Sequence, residues 1–169
     1  MKIIEGLKKI KDLKRKAEDL RTKVKDNCAL STLDTPKYPD QKQQISEWMQ
    51  AHSDILKEIS HIKIALQRTN LATVVVIELG GIQVSKSVAE WILRRRELAK
   101  EDLTMVSVLS DRGIKEGIGT APGGQPLDIK IVRFYDPASR DAAKELYSSE
   151  PSIIDGRLEV VNAVTDLIE

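Results

Sequence analysis

The fold of this chain is decided by residues 41–70, QKQQISEWMQAHSDILKEISHIKIALQRTN, whose apolar side chains recur every seven residues. A strict seven-residue repeat is typical of a helix that packs lengthwise against another helix. At about 1.5 Å per residue, this helix is a rod about 45 Å long. One line of the repeat holds Ile45, His52, Ile59 and Leu66, the other holds Trp48, Ile55, Ile62 and Thr69, and Met49 and Leu56 widen the stripe.

A second amphipathic helix precedes this one. Its apolar residues recur in steps of three and four, which keeps them on one helical face. Pro36 and Pro39 reverse the chain between the two helices, and we expect Pro39 in the first turn of the second. The two helices predict a long antiparallel hairpin one layer thick, and its uncovered apolar flank predicts self-association. The apolar residues of the first helix are Ile3, Leu7, Ile10, Leu13, Ala17, Leu20 and Val24.

A small β-hairpin and a third helix follow. Residues 72–77 are rich in β-branched side chains, and residues 82–84 return after a turn that contains Gly80 and Gly81. Ser87, with Glu90 three residues later, forms the capping-box signal of a helix start. We predict a third helix that ends by Gly113. Its predicted apolar face holds Val88, Trp91, Ile92, Arg95, Leu98, Met105 and Leu109.

The remaining residues predict a C-terminal extension. Residues 113–126 carry five glycines and two prolines, which is typical of a flexible linker. Residues 127–135 alternate like a half-buried strand, Asp136 and Pro137 begin a short helix to Tyr147, and Ser152 caps a last helix. The fold class is therefore mainly α with some β structure (α+β), in three segments: 1–112, the linker 113–126, and the strand, helix and helix of 127–169.

Charge and composition narrow the class of protein. The 169 residues are 31% charged and 4% aromatic, with a formal net charge of +1, which favours amphipathic helices. Residues 1–25 hold ten bases against four acids, while residues 136–169 hold eight acids against three bases, so the two ends could attract each other within or between chains. The lone Cys28 and the lack of a long apolar run predict a cytoplasmic protein with no membrane partner, in the bacterial host cytoplasm if a phage encodes it.

Catalytic and metal-binding patterns are missing from the sequence. His52 and His61 are nine residues apart and face opposite sides of one helix, so His52 is interpreted as a residue that sets register, with a ligand or pH-switch role as the alternative. Cys28 has no histidine nearby, and residues 117–122 lack the full glycine pattern of a phosphate loop. We predict a non-enzymatic protein without a metal or cofactor.

Two polar groups remain as candidate ligand-binding residues. The first gathers Arg68, Thr69, Asn70 and Thr73 where a helix ends and a strand begins. The second is the pair Arg94 and Arg95. A guanidinium at Arg95, on the apolar face, suits an oxygen anion through bidentate hydrogen bonds. An inter-helical ion pair is the alternative for Arg95.

These residues also carry a resemblance to a known family. Arg68-Thr69-Asn70 with Thr73, the turn Gly80-Gly81, and a helix with Ala89 and Arg95 before Leu98 follow a long helical hairpin, and over residues 1–110 the chain resembles the septicolysin-like family of small helical bacterial and phage proteins, which have no established activity. The chain departs from it at Cys28-Ala-Leu and in the extension after residue 112. The resemblance implies an oligomer with the Arg-Thr-Asn junction at an inter-subunit surface and no cofactor.

Three functional interpretations follow. In the first, the oligomer captures a small anionic ligand in inter-subunit pockets, by analogy with phage anti-defence sponges that sequester cyclic-nucleotide immune signals. In the second, the chain is a structural or protein–protein interaction module without a small ligand. In the third, the basic first helix binds nucleic acid, which the acidic C-terminus disfavours.

Overall fold

The computed structural model describes residues 1–168 and confirms a mainly α fold with two small β-hairpins. The chain forms two compact units, one of Met1–Val74 with the end of the chain from Leu158, the other of Val75–Arg157. The predicted three-segment division stays a prediction. In chain order the elements are α1 (Ile3–Asn27), α2 (Gln41–Ala72), β1 (Val74–Leu79), β2 (Ile82–Ser87), α3 (Val88–Leu93), a π-helical segment (Arg94–Leu98), α4 (Ala99–Ser107), β3 (Gly117–Thr120), β4 (Pro126–Ile129) and α5 (Pro137–Val164).

In the first unit, α1 and α2 form the predicted antiparallel hairpin. The amide of Gln41 donates to the Asn27 carbonyl at the turn end, and Lys9 pairs with Glu58 further along. Asp40 is the N-cap of α2, because its carboxylate accepts from the Gln43 N–H and satisfies an unpaired amide of the first turn. Pro39 therefore lies before α2 and not in its first turn. The hairpin core holds Ile3, Ile10, Leu13, Ile59, Ile62 and Leu66, with Ile55 and Leu167 packed against it.

Gly6 occupies a buried position on α1, although the sequence pattern predicted that Leu7 would lie on the buried face. Leu7 is exposed, whereas Gly6 is buried. A Cβ atom at Gly6 would lie 2.9 Å from Leu167 Cδ1 and 3.5 Å from Ile62 Cγ2. The prediction that Leu7 faces the core was therefore wrong, because a missing side chain lets the chain's end approach α1 closely.

The two ends of the chain meet within the first unit. Lys2 and Asp166 form an isolated antiparallel bridge, and the Lys2 ammonium lies 2.6 Å from an Asp166 carboxylate oxygen. The Ile3 N–H donates to the Thr165 carbonyl, and the Leu167 N–H donates to the Met1 carbonyl. The attraction between basic and acidic ends is thus realised within one chain at this contact.

The second unit begins with the predicted β-hairpin. Gly80 and Gly81 both have positive φ, at 58° and 80°, as a two-residue hairpin turn with the right twist requires. The Trp91 indole is fully buried and donates to the Val75 carbonyl at 2.9 Å, which ties α3 to β1. The capping box of Ser87 and Glu90 is formed, and the hydrogen bonds from Ser87 hold the pKa of Glu90 below its ordinary value.

The third helix differs from its prediction in the middle and at its end. It contains the π-helical segment Arg94–Leu98, and α4 ends at Ser107. A π turn inserts one residue into the helical repeat and rotates every later position. Ala99 is therefore buried, while Leu98 and Met105, both predicted on the apolar face, are exposed.

The predicted linker and strand are also corrected. Gly117–Thr120, expected in a flexible linker, is β3 and pairs antiparallel with β4. The turn between them is fixed by hydrogen bonds from the Ala121 N–H to the Gln125 carbonyl and from the Gly124 N–H to the Ala121 carbonyl. The strand predicted over residues 127–135 pairs only as far as Ile129.

One helix replaces the two predicted after Asp136. Asp136 accepts from the Ser139 N–H and Pro137 begins α5 as expected, but α5 runs on through Pro151 to Val164. The helix continues past this proline with buried residues on both sides of it, Glu150 before and Ile154 after. The Ser152 cap was therefore a wrong prediction.

Candidate functional site

The candidate ligand-binding residues belong to two groups. Arg68, Thr69, Asn70 and Thr73 lie at the C-terminal end of α2, in the first unit. Arg94 and Arg95 lie in the π-helical segment, in the second unit. The structure describes each group by itself, and their assignment to one site stays a prediction.

Thr69 is committed to internal hydrogen bonds. It is fully buried, its hydroxyl donates to the Ala65 carbonyl at 2.8 Å, and the same oxygen accepts from the Ile168 N–H at 2.8 Å. Both hydrogen-bonding capacities are used in the way a buried hydroxyl requires. Thr69 therefore fixes the chain's end against α2.

The neighbours of Thr69 offer donors at the surface. Arg68 is exposed and forms no ion pair within residues 1–168, and Asn70 is half-buried. The Thr73 N–H donates to the Thr69 carbonyl and closes α2, while its side chain is half-buried. A guanidinium, an amide and a hydroxyl thus lie within six residues, next to the tail that Thr69 holds.

Arg94 lies between two carboxylates. Its Nε and Nη2 atoms donate to the two oxygens of Glu150 at 2.6 and 2.8 Å, and Nη1 donates to Asp102. Glu150 is only 2% exposed and the Arg94 side chain 20%. The hydrogen bonds of Glu150, and then those of Asp102, hold the pKa of Arg94 above its ordinary value. The guanidinium also lies over the Tyr147 ring, 5.6 Å from its centroid.

Arg95 forms the ion pair that was one of its two interpretations. Its Nε and Nη2 donate to Asp155 at 2.8 and 2.7 Å, and this bidentate contact raises the pKa of Arg95. Both side chains are exposed, so solvent screens the pair. Arg94 and Arg95 therefore both hold α5 within the second unit.

Sequence reasoning missed Glu150, Asp102 and Tyr147 as partners of Arg94. Glu150 stands 56 residues from Arg94 and lies between the two short helices predicted after Asp136. Asp102 is eight residues from Arg94, and the π-helical segment lies between them. The only signal in the sequence is that Glu150 has no basic residue close to it. The sequence does not show that this acid is buried.

A further charged cluster borders a shallow cavity of about 370 Å³ in the second unit. Asp111 accepts from both Nε and Nη2 of Arg133 at 2.7 Å, and the hydrogen bonds from Arg133 lower the pKa of Asp111. Tyr135 donates to the same carboxylate, and Arg140 stacks on its ring. The apolar wall includes Val108, Ile114, Ile131 and Phe134.

A smaller cavity of about 180 Å³ lies in the first unit beside His52. It is lined by Leu20, Arg21, Val24 and Met49, on the flank of the hairpin. No group of three His, Cys, Asp or Glu side chains in the described part of the chain could hold a metal ion. None of the helices between residues 1 and 168 is long and apolar enough to cross a membrane.

The resemblance to the septicolysin-like family stays a prediction. Comparison of the chain with protein-family models, with curated proteins and with solved structures finds no match.

Proposed function

We propose that this chain is a non-enzymatic oligomeric binding protein that captures a small anionic ligand, and that a cyclic nucleotide is that ligand. The observation that carries the proposal is that the exposed Arg68 and the half-buried Asn70 and Thr73 lie within six residues at the C-terminal end of α2. Arginine donates two parallel hydrogen bonds to a phosphate, and an amide can bind a base edge. With no acid, base or nucleophile assigned at this junction, the ligand would be retained and not turned over.

The roles of the candidate residues differ within this proposal. Arg68, Asn70 and Thr73 would contact the ligand. Thr69 would not contact the ligand and would only hold the end of the chain in place, because its hydroxyl already has two hydrogen-bond partners. Arg94 and Arg95 would contact a phosphate only by exchanging it for Glu150 or Asp155, so we assign them to the support of α5.

Calorimetric titration with cyclic di- and trinucleotides tests the proposal. We expect tight binding by the unaltered chain, and chromatography of the released ligand should return it intact. Arg68→Ala should weaken binding at least tenfold without changing oligomer size. Lys63→Ala, which removes another exposed cation of α2, should leave the affinity unchanged. If none of the cyclic nucleotides binds, the proposal is wrong.

A second candidate function is a structural or interaction module without a small ligand. The pairs of Arg94 with Glu150 and of Arg95 with Asp155 favour it, because guanidinium groups that are held by carboxylates serve packing. The combined substitution of Arg68 and Arg95 by Ala separates the two functions. Loss of ligand capture with an intact oligomer supports the sponge, and a loosened oligomer supports the module.

A further inference from the structure

The β3–β4 hairpin has an open edge that fits a second copy of itself. β3 and β4 pair only with each other among residues 1–168. A two-stranded sheet is marginally stable alone, and the unpaired N–H and C=O groups of an edge strand are a template for another strand. Next to this edge, Val132 is 74% and Phe134 98% exposed.

The register identifies which backbone groups of β4 face outward. Gly117 pairs with Ile129 and Gly119 with Leu127, and the Gln125 carbonyl accepts from Ala121. Hydrogen-bonded positions alternate along an antiparallel strand, so odd-numbered residues of β4 point their backbone groups toward β3. The outward groups belong to Pro126 and Asp128 of β4 and to Lys130, which follows the strand. Pro126 lacks an N–H, so the outward amides begin at Asp128.

We propose that β4 pairs antiparallel with β4 of a second copy, about a two-fold axis at Ile129. In this register Asp128 lies opposite Lys130 of the partner subunit, and Lys130 lies opposite Asp128 of the partner subunit. Both are hydrogen-bonded pairs of outward residues. The occupant is a second copy because the charge pattern is self-complementary, and opposite charges on facing strands stabilise a sheet.

The apolar side chains fit the same register. Ile129 meets Ile129 of the partner subunit, and Leu127 meets Ile131 of the partner subunit, on the face opposite the charges.

The interface lies in the second unit and involves neither Arg68 nor the helical hairpin. A result that contradicts this interface would therefore not contradict the proposed ligand capture. In the same way, a lack of ligand binding would not contradict this interface.

A disulfide crosslink tests the axis. Cα atoms in a non-hydrogen-bonded antiparallel pair are about 4.5 Å apart, within the range that a disulfide spans. In a Cys28→Ser background, Ile129→Cys should give a covalent dimer under mild oxidation. Leu127→Cys is the matched control on the same face, since its symmetry mate is displaced by roughly 13 Å along the strand. Equal crosslinking by both variants would overturn the proposed register, and no crosslinking by either would overturn the interface.

Charge reversal provides an independent test that also controls for the ion pair of Lys130 with Asp128 inside one chain. Asp128→Lys and Lys130→Asp are each added to the Ile129→Cys chain. Each variant alone places like charges opposite each other and should crosslink several-fold less. An equimolar mixture restores opposite charges only between subunits, so crosslinking should return. If the mixture behaves like the separate variants, the proposal is wrong.

Discussion

At the scale of single residues, Thr69 separates a structural role from a ligand-binding role. Its buried hydroxyl holds the Ile168 N–H and the Ala65 carbonyl. We expect Thr69→Val to lower the free energy of unfolding by about 1–3 kcal/mol, because a valine of similar shape leaves both partners without this bond. Urea unfolding followed by circular dichroism measures the change.

Thr69→Ser is the matched control, since it keeps the hydroxyl and removes only a methyl group. It should retain most of the stability. If Thr69→Val instead abolished ligand binding without a loss of stability, the internal role assigned to this residue would be wrong.

Asp166 provides a prediction about pH. The hydrogen bond from Lys2 lowers the pKa of Asp166 from its ordinary value of 3.8. A carboxyl with a lowered pKa in the folded state stabilises the fold above its unfolded pKa, and this contribution is lost as pH falls through the folded pKa. Asp166→Asn should therefore lower the melting temperature at pH 7, and the difference from the unaltered chain should begin to shrink near pH 3.8 and vanish only below the lowered pKa of the folded state.

Thermal melts at pH 7, 5 and 3 measure this dependence. Asp26→Asn is the control, because Asp26 is exposed and has no ion pair among residues 1–168. A difference between Asp166→Asn and the unaltered chain that stays constant down to pH 3 would show that the carboxylate charge is not responsible.

At the scale of elements, the sequence predicts those whose periodicity is uninterrupted. The seven-residue repeat of α2 and the β-branched run before Gly80 identify their elements directly, because burial repeats at the period of a helix or a strand. Two of the errors occur where the period changes inside an element. The π segment shifts the register after Arg94, and Pro151 lies inside α5, and neither event can be read from local propensity.

The candidate site was predictable only in part for the same reason. The sequence identifies Arg94 and Arg95 as unusual cations, but Glu150 and Asp155, which accept their bidentate hydrogen bonds, stand on α5, more than 50 residues away. Residues that pair across elements have no characteristic separation in the sequence, so these partners become visible only in the folded structure.

The contact between Arg94 and α5 provides the prediction at this scale. Arg94→Ala leaves Glu150 as a buried carboxylate with no cation, so we expect the free energy of unfolding to fall by about 3–5 kcal/mol. Arg95→Ala removes an exposed, solvent-screened pair and should have a much smaller effect. Urea unfolding of both variants measures the difference.

The double substitution of Arg94 and Glu150 by Met separates two causes of the instability, the loss of contacts made by Arg94 and the unpaired buried charge of Glu150. Two apolar side chains leave no buried charge, so the double variant should be more stable than Arg94→Ala alone. If the double variant is as unstable as the single one, packing of the Arg94 side chain and not the charge of Glu150 determines the loss.

At the scale of the whole molecule, the exposed apolar surface of the hairpin makes self-association the central expectation. Met49 is 61% and Leu56 49% exposed, and both lie on the flank that widens the α2 stripe. Their neighbour His52 borders the cavity of about 180 Å³. Apolar residues in a row along a helix favour packing against another helix.

A charge placed in this row tests whether the flank holds subunits together. Leu56→Lys should shift the oligomer toward monomer, because a helix–helix contact would bury the new ammonium without a partner. Gln50→Lys adds the same charge to an exposed position about 120° around α2 from Leu56, away from this row, and is the matched control. Analytical ultracentrifugation should show a lower mass for Leu56→Lys alone. If both variants keep the mass of the unaltered chain, the hairpin flank is not the interface, and association must depend on another surface such as the β4 edge.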